Sequence, residues 1–209
     1  MSGPAGLHLW GRLSSINVRK VVLCAQWLGI DLPRTDAGLA HGVVDTPAYR
    51  AMNPNGLVPL LQDGDFTLWE SNAIVRYLCA RSGRGYPGDL KARADADRWM
   101  DWQQTTLNRA SGPAFVQWIR TPAAQRDPAV IEASVRATEP LLERIDEHLA
   151  RRGFMLGDEP CMADFPIVCE LHRWFGLPQA RPDWPHLSRY LAHWLDQPCA
   201  RGVLDQPLS

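Results

Sequence analysis

The sequence predicts a small α/β domain followed by an all-helical domain. Two observations predict the α/β domain: a strand–helix–strand pattern near the start, and a hairpin followed by a helix between residues 58 and 80. A third observation predicts the helical domain, because strand-like alternation is absent from Leu90 onward. We therefore expect a first domain at residues 1–81, a linker at 82–89 and a helical domain at 90–209.

The first half of the small domain predicts a strand, a helix and a second strand. Residues 7–10 predict the first strand, and apolar residues at helical spacing across 18–28 predict the helix, which Gly29 should end. Residues 32–36 predict the second strand. The stretch 37–55 is rich in Gly, Pro, Asn and Asp, which indicates irregular structure.

The second half of this domain predicts a hairpin and a helix. Strands are expected at residues 58–62 and 66–69, with Asp63-Gly64 as the turn between them. Ser71 comes just before an apolar helical face and is therefore expected to be the N-cap of the next helix.

Helical spacing continues through the rest of the chain. Helices are predicted over 92–109, from Asp127-Pro128 onward, over 162–175, and from Asp183-Trp184-Pro185 onward.

Charge and cysteine usage exclude several classes of function. The formal net charge of −1 gives no basis for binding nucleic acid or an anionic membrane, and no apolar run is long enough to span a bilayer. The five cysteines form no Cys-x-x-Cys pair and their number is odd, which argues against a disulfide framework. The start of the chain does not read as a signal peptide, so we expect a cytoplasmic protein.

Three motifs follow one another in the small domain. They are SSINVRKV at 14–21, NPNGLVPLL at 53–61 and LWESNAIVRYL at 68–78. Ser14 and Ser15 lie where a strand turns into a helix, and the unpaired N–H groups of that helix favour an anion such as a thiolate. A hydroxyl that donates to the thiolate adds a charge-assisted hydrogen bond. The alternative is that one serine only caps the helix.

Together these motifs, with GDEPCMAD at 157–164, resemble the glutathione S-transferase superfamily over nearly the whole chain. Within it, Ser15-Ile16-Asn17 is similar to a bacterial theta-like subgroup with Ser-x-Asn. The resemblance implies a thioredoxin-like first domain of order β-α-β-α-β-β-α, an all-α second domain and a homodimer. It also implies glutathione as co-substrate and no metal.

The resemblance assigns roles to residues in each motif. It places the thiolate at Ser15, with Ser14 as the other candidate, and it makes Asn17 either a donor to the thiolate or a helix cap. A cis peptide bond at Val58-Pro59 would offer the backbone of Val58 to glutathione as a strand edge does. The γ-glutamyl end would then meet the residues Glu70 and Ser71.

The residues that bind the glycine carboxylate depart from the family pattern, and those of the second-substrate pocket are inferred only from their positions in the sequence. Theta-like relatives carry a Lys for the glycine carboxylate where this chain has Leu57, so His41 or Arg50 is expected to substitute. The second substrate, a small hydrophobic electrophile, is expected against the residues Leu13, Thr106 and Arg109. Gln103 is a candidate for reaching the glutathione of a partner subunit.

Three activities remain open. With Ser rather than Cys at the thiol position, conjugation of glutathione to an electrophilic carbon is the first hypothesis. Asn17 raises a second, glutathione-dependent disulfide reduction. A non-catalytic binding or assembly module is the third.

The helical half contains two further polar features. Cys161 stands where the family has Ser or Thr three residues before Asp164, so Asp164 should bond back to the backbone without the reciprocal hydroxyl bond. Cys169 and His172, one helical turn apart, are expected to be core residues rather than metal ligands.

Overall fold

The computed structural model describes residues 6–209 and begins with a four-stranded mixed sheet. Its order is β2-β1-β3-β4, with β1 parallel to β2 and antiparallel to β3, and β3 antiparallel to β4. The strands are β1 (Leu7–Trp10), β2 (Arg34–Thr35), β3 (Leu60–Asp63) and β4 (Phe66–Trp69).

Three helices accompany the sheet, and the remainder of the chain is helical. The first three are α1 (Ile16–Leu28), α2 (Pro47–Met52) and α3 (Ser71–Ser82). The later ones are α4 (Leu90–Trp102), α5 (Asn108–Phe115), α6 (Pro128–Leu149), α7 (Asp164–Phe175) and α8 (Pro185–Leu195). Two π-helical segments, Gln103–Leu107 and Val116–Arg120, flank α5, so α4 and α5 form one continuous helical path. No helix in the described range is long and apolar enough to cross a membrane.

The α/β half and the helical half share one hydrophobic core. Helix α1 packs on α3 on one side and on α7 on the other. The ring of Trp27 on α1 lies 5.5 Å from that of Phe165 on α7, measured between centroids. Because α1 packs against helices of both halves, its amino end lies where the two halves meet.

Most local predictions for the α/β half are confirmed. β1 and β4 have the expected bounds, and Gly29 ends α1 in the left-handed conformation at φ 71°. The hairpin also forms, with Asp63 paired to Phe66 and Gly64 at φ 62°. A positive φ at the turn is the reason a glycine is needed there.

Four predictions need correction. The third strand covers Leu60–Asp63 rather than 58–62, so the turn lies at Gly64-Asp65 instead of Asp63-Gly64. The stretch 37–55 is not wholly irregular, because Thr46 caps α2 by accepting from the Tyr49 N–H. The second strand is shorter than expected and covers only Arg34–Thr35. Ser71 is not the N-cap of α3 but its first residue; the N-cap is Glu70, which has a positive φ of 73°.

Asp164 organises the start of α7 as its spacing from Cys161 predicts. Its carboxylate accepts hydrogen bonds from the backbone N–H of Cys161 at 2.8 Å and of Met155 at 2.9 Å, and from the Tyr190 hydroxyl at 2.8 Å. Burial raises the pKa of this carboxyl above its usual value. Three donors therefore hold a fully buried acid in place.

Candidate functional site

A cavity of about 520 Å³ opens where the two halves of the chain meet. The turn from β1 into α1 lines one side, together with the loops before α2 and before β3. Residues of α5, the following π-helical segment and α7 line the other side. The cavity therefore lies at the amino end of α1, where unpaired N–H groups favour an anion.

Ser15 is the N-cap residue of α1, but its hydroxyl makes no capping hydrogen bond. The side chain is 9% exposed and lines the cavity, as do Ser14 and Ile16. The N–H groups of Ile16 and Asn17 have no hydrogen-bond partner among residues 6–209. The amino end of α1 thus offers a hydroxyl and two backbone donors that nothing in the described chain occupies.

Asn17 connects the amino end of α1 to that of α3. Its side-chain oxygen accepts from the Ser71 hydroxyl at 3.3 Å. Asn17 also lines the cavity, so its amide NH₂ group is left to donate there. It lies inside α1 rather than at the cap, and the alternative of a capping role is therefore excluded.

The loop before β3 presents an unpaired backbone edge to the cavity. Val58 lines the cavity and its N–H and C=O have no partner in the described part of the chain. The Val58-Pro59 peptide bond is cis. The preceding carbonyl of Leu57 is fixed by the Tyr49 hydroxyl at 2.7 Å and the Asn53 side-chain amide at 2.8 Å.

Glu70 and Ser71 lie at the amino end of α3, beside the cavity rather than in its lining. Glu70 is exposed, whereas Ser71 is buried and tied to Asn17. The backbone N–H groups of Ser71 and Asn72 have no partner within residues 6–209. This helix end is a second place where an anionic group can bind.

Four arginines line the cavity, and none of them was predicted there from the sequence motifs. Arg19 is held by three backbone carbonyls, those of Leu13, Gln206 and Pro207. Arg173 pairs with the buried Glu170. Arg12 and Arg120 are the two others, and no acidic side chain of the described chain forms an ion pair with either one.

A buried polar network lies behind the cavity. The fully buried Lys20 ammonium donates to Gln103 at 2.9 Å and to Gln104 at 3.0 Å, and Gln103 donates to Glu170 at 2.9 Å. Burial lowers the pKa of Lys20 to about 8, and the opposing charge of Glu170 limits the shift. Gln103 is thus buried inside its own subunit and cannot reach a partner's ligand, which corrects that expectation.

Several predicted site residues lie outside the cavity lining. Leu13 packs against the core, and His41 is exposed on the loop before α2. Thr106 and Arg109 lie on the helical path that lines the cavity, but neither residue is among those that line it. Instead, Asn108, Gly112, Phe115, Val116 and Arg120 line the cavity from this helical path. Arg50 is engaged with Asp45 and with the Pro54 carbonyl.

Cys169 is a core residue, as expected, whereas His172 is only partly buried. Both residues line the cavity, although Cys169 is only 2% exposed. Burial raises the pKa of the Cys169 thiol to about 12, so it stays protonated at neutral pH. Burial and the nearby Arg19 lower the pKa of His172. No group of three or more potential metal ligands occurs in the part of the chain described.

Comparisons with known proteins agree with this geometry. The family model for the glutathione S-transferase N-terminal domain matches residues 9–85, and the C-terminal domain model matches 105–198. The chain is 38% identical to glutathione S-transferase GstB of Escherichia coli K12 over 97% of its length and 100% of the relative. It is 34% identical to human glutathione S-transferase theta-1 over 79% of this chain and 72% of that one.

A solved structure shows the same architecture. The glutathione-bound theta class glutathione S-transferase from Xanthomonas axonopodis pv. citri superposes with a TM-score of 0.94. It is 42% identical, and the match covers 99% of this chain and 100% of that one. The chain therefore belongs to the glutathione S-transferase family, and its activity is that of a glutathione transferase.

Proposed function

We propose that glutathione binds along the α/β side of the cavity with its sulfur at the amino end of α1, where Ser15 holds it as a thiolate. One observation carries the proposal: Ser15 lines the cavity and its hydroxyl does not cap its own helix. It is therefore available to donate to a ligand. The unpaired N–H groups of Ile16 and Asn17 add the positive end of the helix dipole.

The size of this effect can be bounded. A free thiol of pKa ~8.5 is only ~3% ionised at pH 7, and lowering its pKa by about two units takes ~2.7 kcal/mol. Ionisation then rises roughly 25-fold, but a less basic thiolate is a weaker nucleophile, which removes about 8-fold. Most of the acceleration must therefore come from positioning the second substrate.

The other contacts of glutathione follow from the unpaired groups around the site. The Val58 N–H and C=O would pair with the cysteinyl backbone as a neighbouring strand does, and Pro59 keeps that edge open. The γ-glutamyl carboxylate would bind the free N–H groups at the start of α3, beginning at Ser71, and Glu70 would accept from the α-amino group. His41, on the rim, is our candidate for the glycine carboxylate.

The reaction we propose is conjugation to a small electrophile with an apolar body. Ile16, Phe115 and Val116 give the cavity apolar surface beside the sulfur position. The thiolate forms a carbon–sulfur bond while the leaving group departs with its electron pair.

The division at residues 82–89 would separate the glutathione-binding domain, 1–81, from the helical domain, 90–209, that shapes this pocket.

Disulfide reduction is the second candidate. It is favoured by Asn17, which lines the cavity at the amino end of α1 and whose NH₂ group is left to donate there, because its side-chain oxygen accepts from Ser71. The first glutathione thiolate would attack the substrate disulfide, form a mixed disulfide and release one thiol. A second glutathione thiolate would then attack the glutathione sulfur of that mixed disulfide, which gives oxidised glutathione and releases the other thiol. A purely non-catalytic module is not favoured by an amino end of α1 at which the Ile16 and Asn17 N–H groups have no partner within residues 6–209.

We further propose a cytoplasmic homodimer. All five cysteines are free, which suits a reducing compartment. Phe66 and Trp69 on the edge strand β4 are 48% and 40% exposed, and a second copy could cover them. Sedimentation equilibrium tests the dimer: a monomer at micromolar concentration contradicts it.

Steady-state kinetics with chlorodinitrobenzene and with a dialkyl disulfide test the chemistry. We expect thioether formation to dominate and Ser15→Ala to lower its kcat/KM about three-fold, the net gain that remains once the weaker nucleophilicity of the thiolate is set against its higher ionised fraction. Ser14→Ala is the matched control and should stay near wild type. The reverse pattern would move the thiolate to Ser14.

A further inference from the structure

Two arginines, one from each half of the chain, line the cavity without a counter-charge. Arg12 follows β1, and Arg120 ends the π-helical segment after α5. They are close enough that the charge of Arg120, together with burial, lowers the pKa of Arg12. Burial and Arg173 lower the pKa of Arg120 in turn. The guanidinium groups therefore repel one another across the space of the cavity.

No ion pair within residues 6–209 relieves this repulsion: Ser209 also lines the cavity, but its terminal carboxylate pairs with neither Arg12 nor Arg120. Among the described residues that line it, none is Asp or Glu. Glu170 lies behind the wall and neutralises Arg173, while the donors of Arg19 are spent on backbone carbonyls. Arg12 and Arg120 are therefore the two lining arginines that, within residues 6–209, are neither paired with an acid nor held by several backbone carbonyls.

Arg12 is short of hydrogen-bond acceptors. Its Nε is shielded from solvent and has no partner within residues 6–209. Its single hydrogen bond is a long one, 3.5 Å from Nη1 to the Ala37 carbonyl. A guanidinium with an unsatisfied buried N–H costs free energy unless an acceptor fills the site.

Arg120 is held by an aromatic ring rather than by an acceptor. Its guanidinium carbon lies 4.9 Å from the centroid of Phe115, which lines the cavity. This cation–π contact orients the planar group, and none of its N–H donors has a hydrogen-bond partner within residues 6–209. An anion that met Arg120 would therefore lie beside an apolar ring.

We propose that the second substrate is a small electrophile that carries a carboxylate, which Arg12 and Arg120 hold while its apolar body contacts Phe115. The proposal deepens the conjugation function above and rests on it. Two planar guanidinium forks match the geometry of a carboxylate, and the anion would relieve their mutual repulsion. The glutathione carboxylates have other partners in our assignment, the start of α3 and His41.

The reaction remains balanced with such a substrate. The glutathione thiol loses its proton to solvent, and its sulfur forms a bond to the aromatic carbon that bears chlorine in the test substrate. The electron pair of the carbon–chlorine bond leaves as chloride. The carboxylate takes no part in this exchange and serves only to bind and orient the ring.

A pair of matched substrates tests the proposal. One is a chloronitrobenzoate with the nitro group ortho and the carboxylate para to chlorine; the other is the corresponding neutral amide. Each kcat/KM is divided by the uncatalysed rate constant with glutathione, which removes the difference in intrinsic reactivity. We expect wild type to favour the carboxylate, and Arg12→Gln or Arg120→Gln to lose roughly 10- to 100-fold of that activity.

The controls separate this proposal from the conjugation function itself. The amide should change less than about three-fold in both variants, Arg120→Lys should retain part of the preference, and Arg109→Gln, outside the cavity, should behave as wild type. Equal losses for acid and amide would overturn the proposal. A raised KM for glutathione with the substrate preference unchanged would also overturn it, because the arginines would then bind glutathione carboxylates. Absence of activity on both substrates would instead contradict the conjugation function.

Discussion

The hydroxyl of Ser71 donates to the side-chain oxygen of Asn17 at 3.3 Å and joins the amino ends of α3 and α1. These two helix ends are where we place the γ-glutamyl carboxylate and the sulfur of glutathione. The bond fixes which way the Asn17 amide points, because an oxygen that accepts from Ser71 leaves the NH₂ group toward the cavity. In our assignment, this hydrogen bond therefore links the binding of the γ-glutamyl end of glutathione to the activation of its thiol.

Asn17→Asp tests the direction of that amide. The carboxylate still accepts from Ser71 but brings a negative charge where the NH₂ group donates. We expect the pKa of the bound thiol to rise by roughly one unit, whereas conjugation at neutral pH should change by about two-fold or less, because the more basic thiolate offsets its lower ionised fraction. The pH dependence of kcat/KM measures both. Asn17→Ala, which only removes the donor, should show a smaller shift; a wild-type profile for the aspartate would exclude contact with the sulfur.

Glu70 carries backbone strain that its position explains. Its φ of 73° is uncommon for a residue with a Cβ, and it precedes the helix end that we assign to glutathione. Glu70→Gly and Glu70→Ala both remove the partner of the α-amino group, but only glycine relaxes the backbone. Urea unfolding should therefore find the glycine variant more stable than the alanine variant by about 1 kcal/mol. Equal stabilities would show that this φ costs nothing.

Lys20 should make stability depend on pH in a defined window. Its folded pKa of about 8 is below the ordinary value of 10.5, so between these values the unfolded chain binds more protons. Stability from this group therefore rises with pH across the window. The free energy of unfolding of wild type minus that of Lys20→Met should increase by about 2 kcal/mol from pH 8 to 10. A difference that does not change with pH would contradict the lowered pKa.

Asp164 should be a major stability determinant of the helical half. Asp164→Ala leaves the N–H groups of Cys161 and Met155 and the Tyr190 hydroxyl without their acceptor in a buried place. We expect a loss of about 3 kcal/mol or more in the free energy of unfolding. Tyr190→Phe removes one donor and should cost about 1 kcal/mol. If the two variants were equally stable, the backbone bonds to Asp164 would contribute little.

Local signals made much of the fold predictable. Gly29 and Gly64 each need a positive φ, which marks the end of α1 and the hairpin turn directly in the sequence. Helix α2 is implied by the family resemblance but not by the local pattern, because it is only six residues long, Pro47–Met52, and lies among Gly, Pro and Asn residues. Its N-cap Thr46 before Pro47 is the signal that could have located it.

The cavity lining was less predictable, because it depends on contacts between distant segments. π-Helical turns on both sides of α5 shift the positions of side chains relative to a regular helix, so spacing alone did not place Thr106 and Arg109. Arg12 carries no motif at all, and only the fold brings it near Arg120. By contrast, Ser15, Asn17 and Val58, which line the cavity, can be singled out from the sequence, because each belongs to a local motif beside a strand or helix end.

The pKa of the bound glutathione thiol tests the central claim most directly. The near-ultraviolet absorbance of the thiolate is followed as pH is lowered, with glutathione bound to wild type and to Ser15→Ala. We expect the wild-type complex to stay ionised well below the free pKa of ~8.5, and the variant to bind glutathione but lose most of that shift. An unshifted pKa in the wild-type complex, or the same lowered pKa in both proteins, would contradict thiolate stabilisation by Ser15.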